Sequence, residues 1–265
     1  MKPSNRKAEH SLPRFFVGAA SPAAAAIPVT LETGQLLQLD LMISHQILQV
    51  LRLRAGQRVI LLNGQGTAFQ AILRQFSDRV AICEIVEPAS CAPEPLPELT
   101  LFAAILKGER QDWLIQKAVE LGVYRVQPII TERSIAKSHS SKTARWLRIA
   151  QEAAEQSERS RVPQILEPLP VMSVNWKEAT ALVCTERQGT NFLTNLTDAN
   201  GKIAIFVGPE GGFAPKELHW LIERGGKAVS LGARILRAET AAIAAMAAAM
   251  ALLDWPVTGA IPREN

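Results

Sequence analysis

The sequence predicts an α/β protein in two parts, a small β-rich domain followed by a larger layered domain with a mainly parallel sheet. Two observations predict it. Pro88, Pro93, Pro95 and Pro97 fall between Glu87 and Glu98 and forbid a continuous helix or central strand there. Before this segment short apolar runs succeed one another, and after it strands alternate with helices, the rhythm of a layered parallel sheet. The expected boundaries are 1–87 for the first domain, 88–98 for a proline-rich linker and 99–265 for the second domain.

In the first part the apolar runs are Arg14 to Val17, Val59 to Leu62, Phe69 to Leu73 and Val80 to Val86, with a short amphipathic helix around His45 to Leu51. Asn63-Gly64-Gln65-Gly66 joins two of the runs, and Asn-Gly supplies the positive-φ residues of a tight hairpin. In the second part strands are expected at Leu99 to Ile105, Val126 to Ile130, Ala181 to Thr185, Ile203 to Val207 and Ala228 to Leu231. Helices are expected at Gln111 to Leu121, stopped by Gly122, at Thr143 to Gln156, from Pro215 onward, and at the alanine-rich Glu239 to Leu253.

Composition narrows the function. With 265 residues, 48% of them hydrophobic and 20% charged, the chain has ample core material and no bias towards disorder or collagen. No apolar run approaches the ~20 residues of a membrane span. The N-terminus lacks a secretory signal core, so a cytoplasmic protein is expected. Cys83, Cys91 and Cys184 form no C-x-x-C pair and the four histidines no cluster, so no metal is expected. The net charge of +4 is modest, but Arg133 to Arg148 carries five basic residues and no acid, which suits either a solvated face or a phosphate-binding surface.

Two glycine-bearing loops follow two of the expected strands, where open α/β sheets place their ligands. One is Gly208-Pro209-Glu210-Gly211-Gly212-Phe213; the other runs from Leu231 through Gly232, Arg234 and Arg237 to Thr240. Neither a G-x-x-x-x-G-K-[ST] loop nor a G-x-S-x-G elbow occurs, which disfavours nucleoside triphosphates and serine hydrolysis. Either loop alone could be an ordinary strand-to-helix turn, whereas together they suggest a small-molecule pocket.

The stretches Leu106-Lys107-Gly108-Glu109-Arg110, Ile115 to Val123, Thr131-Glu132-Arg133-Ser134, Glu152 to Ser157, Gly208 to Phe213 and Leu231 to Ala241 resemble the RsmE family. These are small-subunit ribosomal RNA uracil-N3 methyltransferases of the SPOUT superfamily. Arg14-Phe15-Phe16-Val17 and His45 with Val50-Leu51-Arg52 resemble the family's PUA-like RNA-binding module, and the likeness spans nearly the whole chain. It implies a PUA-like β-barrel, a SPOUT domain with a trefoil knot, S-adenosylmethionine as methyl donor, 16S ribosomal RNA or the small subunit as partner, and a homodimer.

Carried onto this sequence, Gly208, Glu210, Gly211, Gly212, Leu231, Gly232, Ile235, Leu236 and Thr240 are expected at the cofactor. Arg234, Arg237, Glu210 and Glu239 are the candidates for chemistry: guanidiniums for charge developing on uracil oxygens, carboxylates for the N3 proton. Each could instead be a structural ion pair or a helix-terminus charge. Arg14, Arg52, Lys107, Arg110, Arg133, Lys137 and Arg159 are the expected phosphate contacts. An RNA-binding assembly protein without catalysis, or a methyltransferase acting on ribose or transfer RNA, are the rival readings.

Overall fold

The computed structural model describes residues 12–18, 30–91, 94–95, 97–134, 141–186, 189–196 and 201–253. The chain falls into two compact units, Met1–Glu94 with Gln151–Val162, and Pro95–Ala150 with Pro163–Asn265.

The first unit is built on five strands, β1 (Arg14–Phe16), β2 (Leu36–Gln38), β3 (Arg58–Leu62), β4 (Ala68–Ser77) and β5 (Val80–Ala89), in the order β1-β3-β4-β5-β2. Only β1 and β3 run parallel; the other pairs are antiparallel. The Asn63 turn joins β3 to β4 as expected, its side chain accepting from the amides of Gln65 and Thr67. A two-residue turn joins β4 to β5, with Asp78 and Arg79 both left-handed (φ 49 and 69), the geometry that matches strand twist.

β5 runs on through Pro88 to Ala89, into the segment expected to be a linker. Proline is tolerated there because β2 pairs only with Ile82 to Glu84, so Pro88 has β4 on one side and no strand on the other. The helix expected at His45 begins earlier, as α1 (Leu41–His45), capped by Asp40 accepting from the Ile43 amide. It continues as a π turn over Gln46–Val50. Ile43 and Ile47 face the core with Phe15, Leu61, Leu73 and Ile85, leaving His45 exposed. Ser44 is buried on the same face, donating to the Leu39 carbonyl and accepting from the Ala81 amide.

Residues 151–162 belong to this unit. The Glu155 carboxylate accepts from the Phe16 amide at 3.1 Å, and Glu158 accepts from Arg14 at 3.2 Å. Burial pushes the Glu155 carboxyl above its ordinary value, against the lowering effect of the Phe16 and Gln151 hydrogen bonds. A carboxyl raised on folding favours the protonated native state, so its contribution to stability is full below the unfolded pKa of about 4.3 and is lost as pH rises through the folded value. Glu155→Gln should therefore melt at higher temperature than wild type at neutral pH and show no such advantage below about pH 4. Thermal unfolding at the two pH values checks this.

The second unit is a parallel sheet between helices. Its strands are β6 (Glu98–Ala104), β7 (Arg125–Ile130), β8 (Gln164–Ile165), β10 (Thr180–Cys184), β11 (Thr190–Asn191), β12 (Lys202–Val207) and β13 (Lys227–Ser230). The order is β11-β13-β10-β12-β6-β7-β8, with the short β9 (Leu169–Pro170) also on β7 and every pair parallel. Its apolar runs are buried on both faces, as the strands of a covered parallel sheet must be.

The helices are α2 (Glu109–Glu120), α3 (Ser141–Gln156), whose residues from 151 on belong to the first unit, α4 (Pro215–Glu223) and α5 (Ala238–Leu253). α2 buries Leu114, Ile115, Ala118 and Val119 and ends at Gly122 (φ 87), where the Val123 amide closes on the Ala118 carbonyl. α5 packs on α2, β6 and β12, burying Ala242, Ala245, Met246, Ala249 and Met250. On the other face Leu221 of α4 joins Phe102, Ile129, Val183 and Phe206.

Candidate functional site: a cavity at the strand ends

The loops that leave the carboxyl ends of β10, β12 and β13 enclose a cavity of about 280 Å³ in the second unit, close to the lower limit for ligand pockets. Val207 to Phe213 forms one wall, and Leu231, Gly232, Arg234, Ile235 and Leu236 another. Cys184, Thr185 and Glu186 form a third, and Arg133, from the turn after β7, closes the rim.

The β12 loop owes its shape to its small residues. A Cβ on Gly208 would stand 3.1 Å from the Phe213 nitrogen and 3.2 Å from the Gly212 carbonyl carbon, so the loop folds back onto bare main chain. Gly212 is left-handed (φ 68) and its amide returns to the Pro209 carbonyl at 2.8 Å. α4 follows directly. The Glu217 carboxylate accepts from the Ala214 amide at its N-terminus, a capping contact.

The two expected loops come together around this one cavity. Gly208, Glu210, Gly211, Gly212, Leu231, Gly232, Ile235, Leu236 and Arg234 all line it. Thr240, Arg237 and Glu239 do not: Ala238 and Ala241 are the residues of α5 that reach the wall, while Thr240 and Arg237 are exposed to solvent and Glu239 is buried beside Arg110. Glu239 is buried, and its Oε2 has no hydrogen-bond partner; the nearest cation is Arg110 Nη1 at 3.9 Å. The same nitrogen lies 2.7 Å from Glu210, so one guanidinium serves both candidate carboxylates.

The expected phosphate contacts divide by environment. Arg52, Lys107 and Arg133 are exposed, and Arg52 holds a left-handed conformation (φ 53) at the end of its helical segment. Arg110 is partly buried against Glu210. In the first unit Arg14 is buried against Glu158, and Arg159 is buried against Glu94. Lys137 lies outside the described residues.

Thr185 and Glu186 are among the lining residues that the sequence did not betray, with Cys184, Leu218, Ala238 and Ala241. The strand expected at Ala181 to Thr185 was legible, but Thr185 and Glu186 carry no glycine or basic signal, and only their position at the end of β10 places them in the cavity wall. Burial pushes the neighbouring Cys184 thiol up to about 12, so it lines the cavity as a neutral group. Among the described residues no three His, Cys, Asp or Glu side chains gather as a metal site, and no helix is long and apolar enough to cross a membrane.

The parallel sheet and its strand-end cavity define the scaffold of an RNA methyltransferase: residues 92–250 match the model of the RNA methyltransferase domain, and residues 44–86 that of the RNA methyltransferase PUA domain. The chain is 38% identical over 234 residues to ribosomal RNA small subunit methyltransferase E of Synechocystis sp., covering 85% of this chain and 74% of that protein. The Bacillus subtilis protein of the same name is 31% identical over 219 residues, 77% of this chain and 85% of its own. Among solved structures, methyltransferase E of Neisseria gonorrhoeae bound to S-adenosyl methionine superposes with a TM-score of 0.81 at 35% identity, covering 91% of this chain and 98% of that one. A putative methyltransferase of Legionella pneumophila with the same cofactor gives 0.82 at 30% identity with the same coverage. This chain belongs to the ribosomal RNA small subunit methyltransferase E family, RsmE, of the SPOUT superfamily.

Proposed function

We propose that this protein transfers a methyl group from S-adenosylmethionine to N3 of a uridine in 16S ribosomal RNA. The observation that carries the reading is the cavity itself: three strand-end loops, two of them glycine-bearing, enclose a space whose walls suit this cofactor. Leu231, Ile235, Leu236 and Val207 offer apolar surface to an adenine. Glu186 and Glu210 offer acceptors to ribose hydroxyls or an ammonium group, and bare main chain at Gly208 and Gly212 permits close approach.

When bound, the cofactor supplies a methyl group on a positively charged sulfur. Uracil N3 carries a proton and is a poor nucleophile, so the protein must remove that proton or stabilise the anion while holding nitrogen and methyl in line. Arg234, exposed at the cavity wall, is placed to meet charge on the uracil oxygens. Glu210 stands in the wall as a candidate proton acceptor, with Arg110 fixing its direction, and buried Glu239 shares that arginine. Arg237, exposed outside the cavity, suits an RNA phosphate.

The remaining assignments follow the family. The expected domains, PUA-like 1–87 and SPOUT 99–265 with 88–98 between them, correspond to the two units, save that β5 runs on to Ala89 and residues 151–162 fall with the first. Arg52, Lys107 and Lys137 contact RNA phosphate, with Arg14 and Arg159 organising the first unit. A trefoil knot is supported by β13, which lies between β10 and β11 although both precede it in the chain. The protein works in the cytoplasm as a homodimer.

Incubation with undermethylated small subunits and isotopically labelled S-adenosylmethionine, followed by mass analysis of nucleosides, tests the reading. Label in 3-methyluridine is the expected result. Label in a ribose methyl would redirect the assignment, and RNA binding with no cofactor affinity would end it.

A further inference from the structure

The turn after β7 is held by three contacts, one to the β12 loop and two to the start of α4 that follows it. Arg133 Nη1 donates to the Gly211 carbonyl at 2.7 Å, and its stem packs 3.5 Å from where a Gly211 Cβ would stand. Glu217 is buried, and its two oxygens part company: one accepts from the Ala214 amide at 2.9 Å and the other from the Glu132 amide at 2.7 Å, 85 residues away in the chain. Lys216 pairs with the Glu132 side chain, which lowers the Glu132 carboxyl and raises the lysine.

A helix cap requires only the first of the Glu217 contacts. The second is spent across the sheet, on the turn that delivers Arg133 to the rim. The turn itself is preshaped, since the Ser134 hydroxyl accepts from the Thr131 amide at 3.1 Å and lies 2.9 Å from the Thr131 hydroxyl.

We infer that Arg133 and Glu217 are positioning residues for the cofactor: together they hold the 208–214 loop in its binding shape, and Arg133 acts through the Gly211 carbonyl rather than as a phosphate contact. Glycine makes this bracket necessary. A loop with bare residues at 208, 211 and 212 has many conformations to lose on binding, and an external clamp removes that loss beforehand. A charged donor on the carbonyl and a buried carboxylate on two amides are the stronger kind of hydrogen bond for the task.

The inference rests on S-adenosylmethionine as ligand, and calorimetry on the full chain tests it without RNA. Arg133→Met should weaken S-adenosylmethionine binding by about tenfold, the usual size of one charge-assisted hydrogen bond. Glu217→Gln should weaken it similarly, because one amide nitrogen would then face another. The double variant should lose less than the product of the two, as members of one bracket must.

RNA affinity is measured against salt in parallel. A phosphate contact at Arg133 would reduce the slope of log K against log salt by roughly 0.7 to 0.9 in Arg133→Met; the bracket predicts no change. Overturning results are cofactor affinity equal to wild type in both single variants, or a reduced slope with unchanged cofactor affinity. A lower melting temperature for Glu217→Gln with wild-type affinity would reduce Glu217 to a cap and also overturn it. Failure of wild type to bind the cofactor strikes the parent reading instead, and so is separable.

Discussion

Gly208→Val should lower affinity for S-adenosylmethionine by more than about 100-fold, about 3 kcal/mol, while leaving helical content unchanged. Gly208 is not left-handed, so the effect does not come from backbone strain at this position. It comes from occupancy. A Cβ there already lies 3.1 Å from the Phe213 nitrogen and 3.3 Å from its ring, closer than ordinary contact, and the two methyl groups of valine add to that. Since β12 is fixed between β10 and β6, the 211–213 segment must give way, and it forms a wall of the cavity. Titration calorimetry on variant and wild type, with circular dichroism as the folding check, decides the matter. Near-equal affinity would mean that the loop can shift without cost and that its tight closure does not shape the site.

The largest effect on stability is expected from Phe206→Ala, a loss of about 3–5 kcal/mol by the usual cost of emptying a buried aromatic site. Phe206 is fully buried in the strand that leads to the 208–213 loop; its ring stacks on Phe102 at 4.4 Å and meets the edge of Trp176 at 4.9 Å. Those partners lie on different segments, so the cavity left behind cannot collapse by moving one neighbour. Denaturant unfolding should show the midpoint falling with the slope retained. A change below about 1 kcal/mol would show that the aromatic cluster repacks freely.

The sequence made the central strands of the second unit readable to within a residue or two, because continuous apolar runs between helical periods admit few other readings. The two glycine-bearing loops were legible for the same reason. Thr185 and Glu186 were not, since nothing in a Thr-Glu pair separates a ligand wall from a surface turn. β2 escaped notice because Leu36-Leu37-Gln38 is short, with two of its three residues exposed. Arg133 read as one cation in a basic run; only the fold reveals that a carbonyl 78 residues away accepts a hydrogen bond from it. Arg14 and Arg159 carried the same ambiguity, and their carboxylate partners are distant in sequence.

The interleaving of the two units bears on any attempt to take the protein apart. The backbone passes from one to the other at 94, at 150 and at 162. A gene truncated after Glu94 would encode every strand of the first sheet yet omit Glu155 and Glu158, leaving the Arg14 guanidinium without its carboxylate partner and the Phe16 amide without its acceptor. An isolated first unit worth purifying would have to carry residues 151–162 on an engineered connection.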